Sequence, residues 1–305
     1  MKPAISTRTA LTKRTPLSPA LIFAVFGIWV VWGAMYLFSH IALERWPPYF
    51  IVGGRFVIAG SLMFAFLRWR GEALPTTKQW LNAGAVGGLL LVLGTGSTVF
   101  AQQWNTSSLA SVIAATGTIW IAIFSGFIGK WPHRIEWVGI AVGCVGVLVL
   151  AWQGQMRANT AGLLIGLFGT LSWSVGSVLS QKLDLPKGGM RTAAQMMLAG
   201  PVLLLISLVR GEHISLQVPL RIWGALFVLV IGSWAGFGSY MYLLSKARPA
   251  LATSYAYMNP VTALLLGTLV AGDVIAPVEF IGIAIILLSV VFIWLAGSTQ
   301  RKLSG

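Results

Sequence analysis

The chain has 305 residues, of which 57% are hydrophobic and 9% charged, with 35 glycines and a formal net charge of +14. A soluble domain carries about a quarter charged residues, so a soluble fold is excluded. Long apolar stretches in place of short alternating ones exclude a β-barrel, and the single cysteine, Cys144, excludes an internal disulfide.

Residues 1–19 are rich in Ser, Thr and Arg and hold no acid, a composition superficially like a transit peptide. They read as a disordered cytoplasmic tail whose charges hold the first span in place. A helix needs roughly 20 apolar residues to cross the hydrocarbon core. Ten such stretches follow, near 20–40, 49–67, 80–101, 108–129, 135–153, 161–181, 191–209, 222–244, 250–271 and 278–297.

In the first span Trp29, Trp32 and Tyr36 fall on one helical stripe, and His40 near its end reads as an interfacial anchor. Trp46, Trp104 and Trp131 read as residues of an aromatic belt. The second span, after the Pro47-Pro48 turn, carries Arg55, the one strong intramembrane charge. Such a residue marks a function by default. Two readings compete: contact with an anionic group of a solute, or bonds to backbone carbonyls that lock helices near an outer gate. Its place nearer the outer surface than the midplane favours the second.

Thr98 and Gln102 share a face of the third span, and Thr118 lies in the fourth. Glu136 opens the fifth, where the helix macrodipole favours a carboxylate, and Cys144 beside Gly143 and Gly146 reads as a packed, inert thiol. Trp173, Ser177 and Ser180 line the sixth span, Gln195 lies in the seventh, and Gly236 and Tyr240 share a face of the eighth. Tyr255, Asn259 and Thr262 form a stripe on the ninth, where Pro260 predicts a kink. Glu279 opens the tenth. For any single tryptophan, packing or the belt is the simpler reading. Polar atoms in the middle of spans need partners, however, and an aqueous cavity would supply them.

The chain also repeats itself at a spacing of about 140 residues. Trp32 answers Trp173, Ala59-Gly60 answers Ala199-Gly200, and Arg70-Gly71-Glu72 recurs as Arg210-Gly211-Glu212. Gly96-Ser97 matches Gly238-Ser239, Leu109-Ala110-Ser111 matches Leu251-Ala252-Thr253, and Glu136 with Gly139-Ile140-Ala141 returns as Glu279 with Gly282-Ile283-Ala284. Offsets stay between 140 and 143, so an ordered duplication explains the series. With an odd number of spans in each half, the halves must be inverted, as in transporters with alternating access. The expected fold is an all-α integral membrane protein of ten transmembrane helices in two inverted five-helix repeats, 20–153 and 161–297, with a cytoplasmic tail from 298 to 305.

Charge placement sets the orientation. With the N-terminus inside, sixteen Lys and Arg fall in cytoplasmic segments and four (Arg45, Arg157, Arg210, Arg221) in outer loops. This positive-inside bias puts both termini in the cytoplasm, and it explains the basicity without a nucleic-acid groove. The seven acids, Glu44, Glu72, Glu136, Asp184, Glu212, Asp273 and Glu279, all fall at loops or helix ends. No mid-span carboxylate is present to act as a proton relay, and no zinc-type histidine pair, phosphate loop or nucleophile with its base is present either. A membrane enzyme is therefore poorly supported. A non-transporting sensor or assembly factor is a second alternative, though the tails and loops are short for an output domain.

Two five-span halves, the Trp32-Gly33 start, Arg55-Phe56 and the ninth-span segment Leu251-Ala252-Thr253-Ser254-Tyr255-Ala256-Tyr257-Met258-Asn259-Pro260-Val261 resemble the EamA family of the drug/metabolite transporter superfamily, in particular its YedA-type members. The likeness covers about residues 20 to 297. It implies a ten-span bundle around a central cavity, export of amino acids, metabolites or toxic compounds, and no metal or organic cofactor. Two departures stand out: Thr118 where the second half has Pro260, and Asp273 where the family often has Glu. Small four-span carriers of the superfamily use a membrane-embedded glutamate that has no match here.

The expected function is an inner-membrane exporter of a small amphipathic metabolite. Trp32, Tyr36, Arg55, Gln102, Trp173, Tyr240, Tyr255 and Asn259 are its candidate substrate-binding residues. The expected partners are that small molecule and the lipid bilayer, with no nucleic acid; none of these features specifies an oligomeric state.

Overall fold

The computed structural model describes residues 19–105, 110, 113–153, 159–247, 249–271 and 277–303. The expectations for residues 1–18, Leu109, Ser111, Arg157, Arg248 and Asp273 lie outside the described residues, as do those for the side chains of Pro260, Glu279, Arg301 and Lys302. Among the described residues there are helices and connecting loops and no strand.

The helices are α1 (Pro19–Leu43), α2 (Pro48–Trp69), α3 (Thr77–Ala101), α4 (Ile113–Phe127), α5 (Arg134–Gln153), α6 (Thr160–Leu179), α7 (Gly188–Val209), α8 (Leu220–Lys246), α9 (Tyr255–Ala271) and α10 (Pro277–Leu303). Six of them, α1, α2, α3, α6, α7 and α8, are long and apolar enough to cross a membrane, and shorter apolar helices accompany them. Their outward faces keep large apolar side chains exposed, among them Phe23, Phe26, Leu62, Phe66, Phe227 and Leu269. An apolar girdle of this extent suits hydrocarbon and not water. α10 continues to Leu303, so the tail expected from residue 298 is helical up to there.

Local signals in the sequence end two of the helices. Both Arg-Gly-Glu triplets are helix C-caps: Gly71 and Gly211 take the left-handed conformation, φ 82° and 65°. The N–H of Glu72 then donates to Leu67 O and that of Glu212 to Ser207 O, each at 3.0 Å. This is the Schellman closure, in which glycine carries no Cβ penalty. The most conspicuous repeat in the sequence is thus a stop signal kept twice. At the start of α5, Glu136 accepts from the N–H of His133 at 2.7 Å, the N-terminal role expected of it.

Two elements depart from a plain helix. Residues Gly88–Gly96 of α3 wind as a π-helix. Its loosened carbonyls find side-chain donors: Ser172 Oγ on α6 donates to Leu89 O at 2.9 Å, and Thr95 Oγ1 to Leu90 O at 3.2 Å. The segment expected as the ninth span is interrupted at Thr253-Ser254, between a short helix Pro249–Ala252 and α9, ahead of the kink expected at Pro260.

The principal helix pairings map onto one another when the two halves are exchanged. α1 packs on α8 and α9, while its repeat equivalent α6 packs on α3 and α4; α2 pairs with its own equivalent α7, and α5 with α10. The α2–α7 register is antiparallel. Gly53 abuts Leu204, Gly60 abuts Met196, Gly200 abuts Val57 and Gly189 abuts Met63. Between α5 and α10, Gly139 faces Ile293 and Gly146 faces Ile286, again antiparallel. A Cβ at Gly60 would lie 2.8 Å from that of Met196, and one at Gly200 2.8 Å from the Val57 nitrogen. Small residues let these backbones approach where hydrocarbon offers no hydrophobic drive between helices.

Candidate binding cavity

At the seam between the halves, five aromatic rings meet. Trp32 on α1 touches Trp173 on α6 edge-on at 5.4 Å, Phe237 at 5.3 Å, Tyr240 at 5.0 Å and Tyr255 at 4.4 Å between ring centroids. Edge-to-face pairs of this kind contribute about 0.5–1.5 kcal/mol each beyond burial. The two tryptophans that answer one another in the repeat therefore touch in space. Each is seated over a glycine of the opposite half: Trp32 over Gly236, where a Cβ would come within 2.2 Å of the indole nitrogen, and Trp173 over Gly94, at 3.3 Å. Gly94 and Gly236 are themselves equivalents in the repeat.

A cavity of about 110 Å³ opens beside this cluster. Since a water needs roughly 10–15 Å³ on this measure, there is room for several waters or one small solute. α1 lines two turns of it with Trp32, Met35, Tyr36 and Ser39; Arg55 enters from α2. Thr95, Thr98, Val99 and Gln102 come from α3 and its end, and Ala114 from α4. The second half adds Thr170 and Trp173 from α6, Phe237 from α8, and Tyr255 and Asn259 from α9. The cavity brings together seven of the eight candidates, Trp32, Tyr36, Arg55, Gln102, Trp173, Tyr255 and Asn259. Tyr240 stands behind them, fully buried, with its hydroxyl 2.6 Å from Ser177 Oγ and its ring against Trp32 and Trp173. It supports the wall and does not line it.

Polar groups at the cavity are buried without partners. Arg55 is 3% exposed, its Nε has no hydrogen-bond partner, and its guanidinium lies 4.9 Å from the Phe56 ring centroid. No backbone carbonyl accepts from it among the described residues, so the expected carbonyl lock is not what the side chain makes. Gln102 Oε1 and Asn259 Oδ1 are likewise buried and unpartnered. A guanidinium in a span costs roughly 2.5–3.5 kcal/mol on insertion scales, and each orphaned buried polar atom about 1–3 kcal/mol. A hydrated or occupied cavity removes those costs. Among the described residues no group of His, Cys, Asp or Glu is placed to hold a metal ion.

Other polar stripes continue away from the cavity as packing. Trp29 Nε1 donates to Ser254 Oγ at 3.1 Å, and Thr262 Oγ1 donates back to Trp29 O at 3.1 Å, joining α1 to α9 and the turn before it. Tyr257 donates to Thr118 at 2.6 Å, joining α9 to α4. Gln195, the counterpart of Arg55, does not reach the cavity; its backbone lies against Gly87 of α3. Trp46 departs from the belt expectation: only 2% exposed, it donates to Ser215 O at 2.7 Å and ties the α1–α2 turn to the α7–α8 loop. Trp104 and Trp131 are exposed. Of the lining residues missed in the sequence, Ser39 continues the Trp32 stripe by two turns and Thr170 precedes Trp173 by one, so periodicity held the signal. Thr95 and Val99 share the i, i+3, i+4, i+7 face of Thr98 and Gln102, so periodicity held that signal as well.

Comparison with known proteins gives the same frame. The EamA-like transporter family matches residues 19–152 and again residues 160–295. An uncharacterized inner membrane transporter, YedA of Escherichia coli K12, is 38% identical over 277 residues, covering 90% of each chain. An uncharacterized transporter of Synechocystis sp. is 27% identical over 290 residues, 86% of each chain. One solved crystal structure, 19% identical, shares the fold with a TM-score of 0.75 over 92% of this chain and 99% of its own.

Proposed function

We propose, from the premise that this chain belongs to the EamA-like transporter family, that it is an inner-membrane carrier that exports a small amphipathic metabolite, such as an amino acid or a related compound, by alternating access. The observation that carries this reading is the cavity at the seam, lined from both halves and holding buried polar atoms with no partner. Trp32, Tyr36, Tyr255 and Trp173 give the solute's apolar body a wall. Gln102, Asn259 and Arg55 give its polar end contacts, and Tyr240 holds the wall in place.

In this reading the chain crosses the bilayer ten times as two five-span repeats, 20–153 and 161–297, with both termini in the cytoplasm. The antiparallel pairing of equivalent helices supports inversion: α2 against α7 and α5 against α10 run opposite ways. Inversion in turn offers two states of similar energy built from one motif, as alternating access requires.

The test is flux in liposomes holding the purified protein. Amino acids and neutral or charged amphiphiles are offered in both directions, with and without a proton gradient. Transport of at least one small solute is expected, with Trp32→Ala and Asn259→Ala lowering it at normal expression. No flux across the whole panel overturns the carrier reading.

A further inference from the structure

Resting on that reading, we propose that the cavity selects its solute by a single negative charge. The solute is a small monocarboxylate bearing a separate hydrogen-bond donor, and Arg55 is the residue that binds the carboxylate. Arg55 is the one charged side chain among the described residues lining the cavity, and it is buried there. Among the described residues no carboxylate neutralises it. Glu44 is engaged by Arg221, Glu212 by the Phe50 N–H, Glu136 by the His133 N–H and Asp184 by Gln79, all at helix ends. Glu72 sits exposed in the α2–α3 turn.

An uncompensated guanidinium in a site of low dielectric repels a cationic solute, whatever aromatic faces surround it. A phosphate dianion would bring two charges against one. A carboxylate brings one, in a planar shape that matches the two-pronged guanidinium.

The remaining orphaned atoms define the solute's other end. Gln102 Oε1 and Asn259 Oδ1 are buried acceptors to which no protein group donates, so a solute with an N–H or O–H apart from its carboxylate is the one this site favours. Trp32 and Tyr255 leave an apolar wall for its body, and a cavity of about 110 Å³ limits it to a small molecule.

Matched triples test this in thermal unfolding and in liposome flux. Each triple contains an apolar 2-hydroxy acid, its amide and the corresponding acid without the hydroxyl, for example 2-hydroxy-4-methylpentanoate, 2-hydroxy-4-methylpentanamide and 4-methylpentanoate. Carboxylates with a donor are expected to raise the unfolding temperature and to be carried, the plain acid less so and the amide not at all. Arg55→Gln is expected to lower carboxylate flux by about tenfold or more, with Arg55→Lys retaining part of it. Amides carried as well as acids, or carboxylate flux unchanged in Arg55→Gln, overturns the proposal. So does a full set of triples that neither binds nor moves.

The carrier reading falls separately, if the wider panel of neutral and cationic amphiphiles also gives no flux. Gln102→Glu keeps the test independent of how Arg55→Gln folds. It places a carboxylate in the same cavity, and the unliganded protein should become more stable while its response to added carboxylates disappears. A carboxylate response unchanged in Gln102→Glu overturns the proposal.

Discussion

Helices α3 and α8 hold equivalent places in the two halves, yet they treat the seam in opposite ways. Thr95, Thr98, Val99 and Gln102 of the α3 span answer Phe237, Tyr240, Met241 and Leu244 of α8 at a constant offset of 142. The first four line the cavity. All of the second four are buried, and of them only Phe237 touches the cavity. The frame around both sets is matched, with Trp173 over Gly94 and Trp32 over Gly236. Side-chain volume and polarity, not helix placement, therefore decide which end of the seam holds space.

The largest test of that contrast makes α3 resemble α8. Thr95→Phe with Gln102→Leu should fill the cavity and cut solute flux by more than about tenfold, with the protein still monodisperse by size exclusion; retained flux would break the comparison. Next in size is the glycine beneath Trp32. Gly236→Ala forces a Cβ to within 2.2 Å of the indole, an overpacking that costs about 1–3 kcal/mol. Gly94→Ala, at 3.0 Å from the nearest carbonyl, should cost less, and equal losses in thermal unfolding would mean the two seats are energetically alike. Tyr240→Phe removes the 2.6 Å contact with Ser177 and should cost about 1 kcal/mol in chemical denaturation. The smallest effect belongs to Gln195→Leu: because Gln195 lies off the cavity, flux should stay within about twofold of the unmodified protein.

Much of this was legible in the sequence, for physical reasons that differ by element. The duplication was readable because caps and close approaches demand particular residues: Gly71 and Gly211 for a left-handed turn, Gly60 and Gly200 for helix contact. Trp32, Tyr36, Tyr255 and Asn259 were readable because helical periodicity puts them on inward faces. What was not readable depends on contacts far apart in the chain. The burial of Trp46 needs the Ser215 carbonyl, and the π-helical winding of α3 is supported by Ser172 from α6. Gln195 shows the limit most plainly. Its alignment with Arg55 is sound, yet α3 covers one position and the cavity meets the other.

The pairing of α2 with α7 and of α5 with α10 makes the chain, in effect, a homodimer joined end to end. Each of these contacts is isologous: the same face of each half meets itself, as across the two-fold axis of a symmetric dimer. A covalent link between two such halves fixes their stoichiometry and raises their local concentration. It follows that the two halves, made as separate polypeptides in one cell, already hold the complementary surfaces needed to find each other.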